Sequence, residues 1–228
     1  MRLVTMPGVF RPISDTWLLA DALDAEPLPA AARVLDLCSG SGALAVRAAM
    51  AGRRREVWAV DVSRRAVLTI RVNAALNGVR VRAVRGDLFA AVGDRRFDAI
   101  ISNPPYVPAA TDDLPTRGRE RAWDAGRDGR ALLDRICAGA RDHLRPGGVL
   151  LVVHSSLLGL DPTVDALRAG GLHVDVAARE TGPLGPLMRA RRAAGLIDPR
   201  AQREDVLVVR ARNPASTHWR SERENVTM

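Results

Sequence analysis

The chain has 228 residues, of which 47% are hydrophobic and 26% are charged, a size and composition typical of one globular domain with a substantial core. No apolar run is long enough to span a bilayer, and the amino terminus has no apolar stretch typical of a signal sequence, so we expect a cytoplasmic protein with no membrane contact. The net charge is +8 and every basic residue is Arg, which indicates a GC-rich coding bias more than a nucleic-acid partner, because the arginines are scattered along the chain.

The two cysteines, Cys38 and Cys137, lie far apart in the chain, and neither has a companion at the spacing of a C-x-x-C motif. The four histidines are isolated in the same way. Because such lone residues are more often structural than metal ligands, the sequence predicts neither a disulfide framework nor a metal site.

The predicted elements begin with a helix over residues 15–25, which Ser14 is expected to cap and which Pro27 and Pro29 end. From residue 33 onward, β-rich runs alternate with helical stretches. The predicted strands cover 33–37, 56–60, 79–84, 97–102, 148–153, 172–178 and 206–211, and the helices between them cover 42–51, 64–76, 131–143 and 162–169. This alternation is typical of an α/β fold in which a doubly wound, mostly parallel sheet carries helices on both faces.

Two segments interrupt this alternation. Residues 104–129 form a long connection after the fourth strand, and loops of that length are usually functional. Residues 181–205 form an insertion between the last two strands that carries several arginines, which predicts either a solvated surface helix or a basic ridge beside the substrate. We expect one domain over residues 1–212, with an amino-terminal helical segment at 1–30, followed by a flexible tail at 213–228.

The first segment with chemical content is the run V-L-D-L-C-S-G-S-G, in which the first strand reaches Asp36 and the chain turns into a helix through Gly40 and Gly42. The two glycines let the backbone turn tightly, and the free amides of the helix can face an anion or a carboxylate. The same residues also satisfy the dinucleotide-binding form G-x-G-x-x-A, and a glycine pair can serve packing alone. The segment therefore predicts a nucleotide-type ligand loop without naming the ligand.

Two aspartates end the next two predicted strands. Asp61 lies nineteen residues beyond Gly42, where a carboxylate can accept both hydroxyl groups of a ribose, although it could instead cap the helix that begins near Ser63. The ribose role is favoured because Asp61 follows the glycine loop at this spacing. Asp87 could accept a hydrogen bond from an adenine amino group, and it is equally typical of a turn.

The sequence N-P-P-Y, from Asn103 to Tyr106, follows the fourth predicted strand at the edge of the sheet where α/β proteins bind ligands. The Pro-Pro pair removes two amide donors, so neighbouring carbonyl groups can stay free to accept hydrogen bonds. The Asn103 side-chain oxygen and the Pro104 carbonyl oxygen can together receive both hydrogens of a planar NH2 group, while Tyr106 supplies a flat wall. The alternative, a rigid proline-rich turn, is disfavoured by the three segments that precede it.

These motifs together resemble the class I S-adenosylmethionine-dependent methyltransferases and, more closely, the HemK family of glutamine methyltransferases that act on translation release factors. Residues 11–19, R-P-I-S-D-T-W-L-L, resemble the P-x-x-D-T-x-L-L helix of that family, and residues 122–136 resemble its G-x-D-G helix start. The resemblance covers residues 7–211. It implies a Rossmann-like fold with a seven-stranded, mostly parallel sheet whose last strand is antiparallel, and S-adenosyl-L-methionine as the cofactor.

The resemblance also implies roles for individual residues. Those implied to contact the cofactor are Thr16, Asp36, Cys38, Ser39, Gly40, Gly42, Asp61, Asp87, Leu88 and Asn103. Those implied to grip the acceptor amide and to carry the catalysis are Asn103, Pro104, Pro105 and Tyr106. At Cys38 the sequence departs from the family, which usually has glycine there, so we expect the backbone of this residue to avoid positive φ.

The resemblance implies methyl transfer to a release-factor glutamine. Because only 35 residues precede Asp36, the chain resembles the short eukaryotic and archaeal branch of the family, whose members commonly work with a small zinc-binding activator subunit. Methylation of adenine or cytosine in DNA or RNA, or of a small-molecule amine, stays open because N-P-P-Y suits any conjugated NH2 group. A Rossmann dehydrogenase or a silent nucleotide-binding module would use the glycine loop and Asp61 equally well, yet would leave Asp87 and N-P-P-Y unexplained.

Overall fold

The computed structural model describes residues 1–52 and 54–215, whose strands form one seven-stranded sheet. The strands are β1 (Arg33–Leu37), β2 (Glu56–Asp61), β3 (Arg82–Arg85), β4 (Phe97–Ser102), β5 (Leu144–Ser155), β6 (His173–Pro183) and β7 (Arg203–Arg212). They lie in the order β3-β2-β1-β4-β5-β7-β6. Neighbouring strands among β1 to β5 are parallel, whereas β7 is antiparallel to both β5 and β6. The predicted α/β class and the antiparallel last strand are confirmed.

The described residues also form six α-helices, which cover both faces of the sheet. They are α1 (Ser14–Asp24), α2 (Ala43–Met50), α3 (Arg64–Leu76), α4 (Ala131–His143), α5 (Asp161–Ala169) and α6 (Pro186–Ala193). Helices α1 to α3 pack into one hydrophobic cluster, and α4 to α6 pack into a second cluster on the opposite face. Parallel strands joined by helices on alternate faces make the fold doubly wound.

The strands β1, β2, β4 and β5 are largely buried on both faces of the sheet, which explains why they form nearly continuous apolar runs. In β1, Leu35 and Leu37 enter one cluster while Val34 enters the other. In β5, Leu150 and Leu151 divide between the two clusters in the same way. Successive side chains of a strand point to opposite faces, so each apolar run supplies both halves of the core.

The start of α1 differs from its prediction. Ile13, rather than Ser14, has the extended backbone of the cap position, and no side-chain hydrogen bond caps the helix. The Ser14 hydroxyl lies inside the helix and donates to the Asp15 carboxylate at 3.0 Å. The predicted serine cap is therefore wrong, because the neighbouring carboxylate engages the hydroxyl.

Both ends of the segment 181–205 lie in the sheet, which the sequence does not predict. The strand β6 continues to Pro183, and β7 begins at Arg203, with which Pro183 pairs. Helix α6 lies between them and buries only Met188, so the surface-helix alternative describes this part of the segment.

The end of the domain also extends beyond the predicted boundary. Asn213, which the sequence places in the flexible tail, is buried, and its side chain donates to the Leu144 carbonyl at 3.1 Å. Its backbone exchanges hydrogen bonds of 2.9 Å with Gly147 and Gly148. These bonds tie the end of β7 to β5, which corrects the predicted start of the tail. Residues 216–228 of the predicted tail lie outside the described residues.

Within residues 1–52 and 54–215, every helix is too short or too polar to cross a lipid bilayer. Over the same residues, His, Cys, Asp and Glu side chains nowhere gather in a group of three or more that could hold a metal ion. Both cysteines are free thiols.

Candidate active site

A cavity of about 880 Å³ lies at the carboxyl-terminal edge of the parallel strands, where α/β folds bind ligands. Its size is typical of small-molecule and cofactor sites. The predicted site residues that line it are Thr16, Cys38, Ser39, Gly40, Asp61, Asp87, Leu88, Asn103, Pro104, Pro105 and Tyr106. The fold thus brings together residues from five separate segments of the chain, while Asp36 and Gly42 do not line the cavity.

The glycine loop lies between β1 and α2 and contains three left-handed residues. Gly40 and Gly42 have φ values of 53° and 77°, as their lack of a side chain allows. Cys38 has a φ of 55°, so the expectation that its backbone avoids positive φ is wrong. The Ser39 amide donates to the Val60 carbonyl at 3.1 Å, and this tertiary bond, next to Cys38, holds the strained conformation.

Gly42 is required both for its conformation and for the space around it. A Cβ atom at this position would lie 2.9 Å from Cγ1 and 3.2 Å from Cα of Ile70 in α3. We expect Gly42→Ala to lower the free energy of unfolding by about 2–5 kcal/mol, because left-handed strain and overpacking add. Gly78 has a φ of 63° with no atom within 4 Å of its Cβ position, so Gly78→Ala should cost only about 1–2 kcal/mol. Urea denaturation of both variants measures the difference, and equal losses would contradict the packing argument.

Asp36 lies behind the glycine loop rather than in the cavity. Its side chain is completely buried, and Oδ2 accepts a hydrogen bond of 3.1 Å from the Ala45 amide in the first turn of α2. Oδ1 has no partner among the described residues. Burial raises the pKa of Asp36 to about 8. Asp36 therefore supports the start of α2. Gly42 is the cap residue of the same helix and likewise lies behind the cavity lining.

Asp61 joins the end of β2 to the glycine loop. Its Oδ2 accepts from the Gly40 amide at 2.9 Å, and its Oδ1 accepts from the Ser63 amide at 2.8 Å. Ser63 itself caps α3 by accepting from Ala66, so the alternative cap role is filled by a neighbour. Burial raises the pKa of Asp61 despite the two amides. A carboxylate oxygen can accept two hydrogen bonds and each oxygen of Asp61 accepts one, which leaves capacity for ligand hydroxyl groups.

Asp87 and Leu88 form another part of the wall, after β3. Leu88 has a φ of 46°, which turns the chain sharply at the cavity. The Asp87 carboxylate is 55% exposed and accepts a hydrogen bond of 2.7 Å from Arg135 in α4. Arg135 also lines the cavity, and so does Arg121, whose positive charge partly offsets the rise in the pKa of Asp61. The sequence did not single out these two arginines because α4 and the long loop meet the strand ends only in the fold.

The N-P-P-Y segment is held at both ends by the first turn of α1. The Asn103 amide nitrogen donates to the Thr16 hydroxyl at 3.2 Å, and the Tyr106 hydroxyl donates to the Asp15 carboxylate. The Asn103 Oδ1 atom and the Pro104 carbonyl oxygen accept no hydrogen bond from the described residues. Two acceptors of the predicted kind are therefore available side by side in sequence on a segment that lines the cavity.

The opposite wall comes from the two segments that interrupt the predicted alternation. The long loop after β4 contributes Leu114, helix α6 contributes Leu187 and Met188, and the start of β7 contributes Glu204. The arginines of α6 do not line the cavity. Arg189 donates to the Leu184 carbonyl at 2.6 Å, Arg192 to the Ala201 carbonyl at 2.7 Å, and Arg191 pairs with Asp124. The predicted basic ridge is thus replaced by a largely apolar wall, because these arginines bind the chain itself.

The residues present fit an adenosine-containing cofactor. The cavity combines Asp61, whose oxygens have spare acceptor capacity, with apolar surfaces such as Leu88 and Val62. The left-handed turn at Gly40 brings backbone close to the carboxylate without an intervening side chain. A carboxylate acceptor suits the hydroxyl groups of a ribose, and apolar surfaces suit an adenine ring.

The chain matches the family model described as the methyltransferase small domain over residues 1–117. It is 33% identical over 189 residues to a Methanocaldococcus jannaschii protein named as a protein N5-glutamine methyltransferase, covering 82% of this chain and 93% of that protein. It is 37% identical to the release factor glutamine methyltransferase of Gloeobacter violaceus, covering 74% of this chain and 61% of that longer protein. The fold also matches one chain of the E. cuniculi Mtq2–Trm112 complex, which is described as responsible for methylation of the eRF1 translation termination factor, with a TM-score of 0.61, 23% identity, and coverage of 90% of this chain and 99% of that one.

Proposed function

The chain belongs to the S-adenosylmethionine-dependent glutamine methyltransferases of the HemK family, and from this premise we propose that it methylates the side-chain amide of a glutamine in a peptide chain release factor. The single observation that carries the proposal is the pair of available acceptors at Asn103 and Pro104 on the cavity wall. The archaeal and bacterial relatives carry names of enzymes with this chemistry. A planar primary amide has the two hydrogens that such a pair of acceptors can receive.

The cofactor-binding residues follow from the same geometry. Asp61 would accept the ribose hydroxyl groups, Asp87 and the turn at Leu88 would hold the adenine, and the loop from Cys38 to Gly40 would hold the rest of the cofactor together with Thr16. Bound S-adenosylmethionine supplies a methyl group on a sulfonium, which is already a good leaving group. The task of the protein is then to place the acceptor nitrogen in line with that methyl group.

The acceptor residues would overcome the low nucleophilicity of an amide, whose nitrogen lone pair is delocalised. Asn103 Oδ1 and the Pro104 carbonyl oxygen would each accept one hydrogen of the NH2 group and so favour a pyramidal nitrogen. The same two oxygens would stabilise the positive charge that develops on the nitrogen during transfer. Tyr106 would pack flat against the amide, and Pro105 would keep the segment rigid.

A small partner subunit forms the finer part of this proposal. The E. cuniculi neighbour is a complex of Mtq2 with Trm112, and we extend the proposal to a small partner subunit, the zinc-binding activator that the family resemblance implies. Apolar side chains of α3 that a partner could cover are Leu68 and Leu76, which are 50% and 46% exposed.

The acceptor is tested with methyl-labelled S-adenosylmethionine and three pools, namely purified release factors, total RNA and duplex DNA, each with the chain alone and with added cell extract. We expect label on one glutamine of a release factor, located by mass spectrometry, because a planar amide fits the acceptor pair. A need for extract would support the partner subunit. Label on nucleic acid alone would contradict the protein acceptor and transfer the role of Asn103 to a base amine.

A further inference from the structure

Asp15 is a buried carboxylate on the cavity wall that the predicted site does not include. It is 7% exposed and lies in the first turn of α1. Its Oδ2 accepts a hydrogen bond from the Tyr106 hydroxyl, and its Oδ1 accepts from Ser14 at 3.0 Å. Both oxygens therefore accept hydrogen bonds, and one of these bonds comes from the tyrosine of N-P-P-Y.

Helix stability alone does not explain this placement. A negative charge in the first turn of a helix is favourable, but an exposed side chain provides that benefit, as Asp161 does in α5. Burying a carboxylate is costly unless hydrogen bonds satisfy it. In Asp15 the burial coincides with a bond to a residue of the acceptor segment, which indicates a role at the site.

We propose that Asp15 is a positioning residue that fixes the ring of Tyr106 as the wall of the acceptor site, as Thr16 fixes the amide of Asn103. The inference deepens the proposed function, on which it rests. Adjacent residues of α1 then hold the two side chains of N-P-P-Y that would contact the acceptor. A rotation of either side chain would cost the in-line alignment that methyl transfer needs.

Tyr106 is the only tyrosine of the chain, so its ionisation can be followed by tyrosinate absorbance without any acceptor. Its pKa is raised well above 10 by burial, by the charge and hydrogen bond of Asp15 on α1, and by the charge of Glu204 on β7. Asp15→Asn removes the charge and keeps an acceptor oxygen, so the tyrosine should titrate at a lower pH than in the wild type. Asp161→Asn, a matched change in another first turn, should leave the titration unchanged. An unchanged titration in Asp15→Asn would overturn the proposed contact.

The kinetic test separates positioning from general stability. We expect Asp15→Ala to lower kcat/KM for the acceptor about 10- to 100-fold, the size of a lost hydrogen bond to a charged group, with S-adenosylmethionine affinity within about 2-fold of the wild type. Tyr106→Phe removes the same hydrogen bond by deleting its donor. The kcat/KM of the double variant, Asp15→Ala with Tyr106→Phe, should therefore be no lower than that of the less active single variant. Asp15→Asn, which also keeps the fold if Asp15→Ala does not, should recover most of the loss. The proposal would be overturned if the losses of kcat/KM in the two single variants multiplied in the double variant. It would also be overturned if Asp15→Asn were as impaired as Asp15→Ala.

A wrong acceptor and a wrong role for Asp15 give different experimental results. If the release factor is the wrong acceptor, the wild type will label another pool, and the ratios between variants are then measured on that acceptor. If the acceptor is right but Asp15 has no positioning role, the wild type will label the release factor while the tyrosine titration and the coupling are absent.

Discussion

Asn103→Ala is expected to lower kcat by about 100-fold or more, the cost of removing one well-placed polar group from a transition state. The variant loses Oδ1, an acceptor available to the NH2 group, and it also loses the bond from the amide nitrogen to Thr16. Affinity for S-adenosylmethionine should stay largely intact, because Asp61, Leu88 and the glycine loop remain in place. Single-turnover methylation measures the first effect and isothermal titration calorimetry measures the second.

Two further variants sharpen this test. Thr16→Val removes the group that holds the Asn103 amide nitrogen but leaves Oδ1 present, so its kcat should fall by only about 10-fold, the cost of imperfect orientation. Asn77→Ala, at the end of α3 and away from the cavity lining, should leave kcat unchanged. Equal losses of kcat and cofactor affinity in Asn103→Ala would show that Asn103 serves the cofactor rather than the acceptor.

Elements with a complete local signal could be predicted closely. Helix α3 matches its prediction because Ser63 caps it and Asn77 and Gly78 end it. The strand after it begins three residues later than predicted, at Arg82 instead of 79. The Val79 amide donates to the Ala74 carbonyl in a helix-ending bond, so Val79 packs on the core from outside the sheet. Apolar β-branched residues indicate burial more reliably than they indicate strand pairing.

Long-range pairing explains the other boundary errors. The strand β5 starts at Leu144 because this residue pairs with Phe97 ahead of an irregularity in the register. Pro146 and the two glycines after it are typical of a loop that precedes a strand. They belong to the sheet only because of the pairing with β4 and the hydrogen bonds with Asn213. Such contacts between distant residues leave no periodic signal in the sequence.

The candidate site likewise contains residues that local motifs predict and residues that only contacts between distant segments explain. Motif residues at strand ends could be predicted, because the carboxyl ends of parallel strands converge, and eleven of the thirteen predicted positions line the cavity while Asp36 and Gly42 lie behind it. The left-handed backbone of Cys38 could not, because a tertiary hydrogen bond at Ser39 overrides the steric preference. Asp15 and Arg135 required the fold, since each acts on a motif residue from a helix remote in sequence.

Asp61→Ala is expected to raise the Kd for S-adenosylmethionine about 10- to 100-fold, the cost of losing a hydrogen-bonded carboxylate at the site. The variant removes the proposed acceptor for the ribose hydroxyls and also frees the Gly40 and Ser63 amides, so the glycine loop loses its hydrogen bond to Asp61 at the end of β2. At saturating cofactor, kcat should remain within about 3-fold of the wild type, because the acceptor pair is untouched. Calorimetric titration and steady-state methylation measure the two effects.

Matched aspartates distinguish this role from a general loss of negative charge. Asp87 is more than half exposed and already paired with Arg135, so Asp87→Ala should weaken cofactor binding less than Asp61→Ala does. Asp175, which pairs with Arg210 away from the cavity lining, should have no effect on binding when replaced. A Kd unchanged in Asp61→Ala would reject the ribose role. We expect a raised Kd and a normal kcat at saturating cofactor in Asp61→Ala, the reverse of the result expected for Asn103→Ala. Such a pair of results would separate the cofactor end of the cavity from its acceptor end.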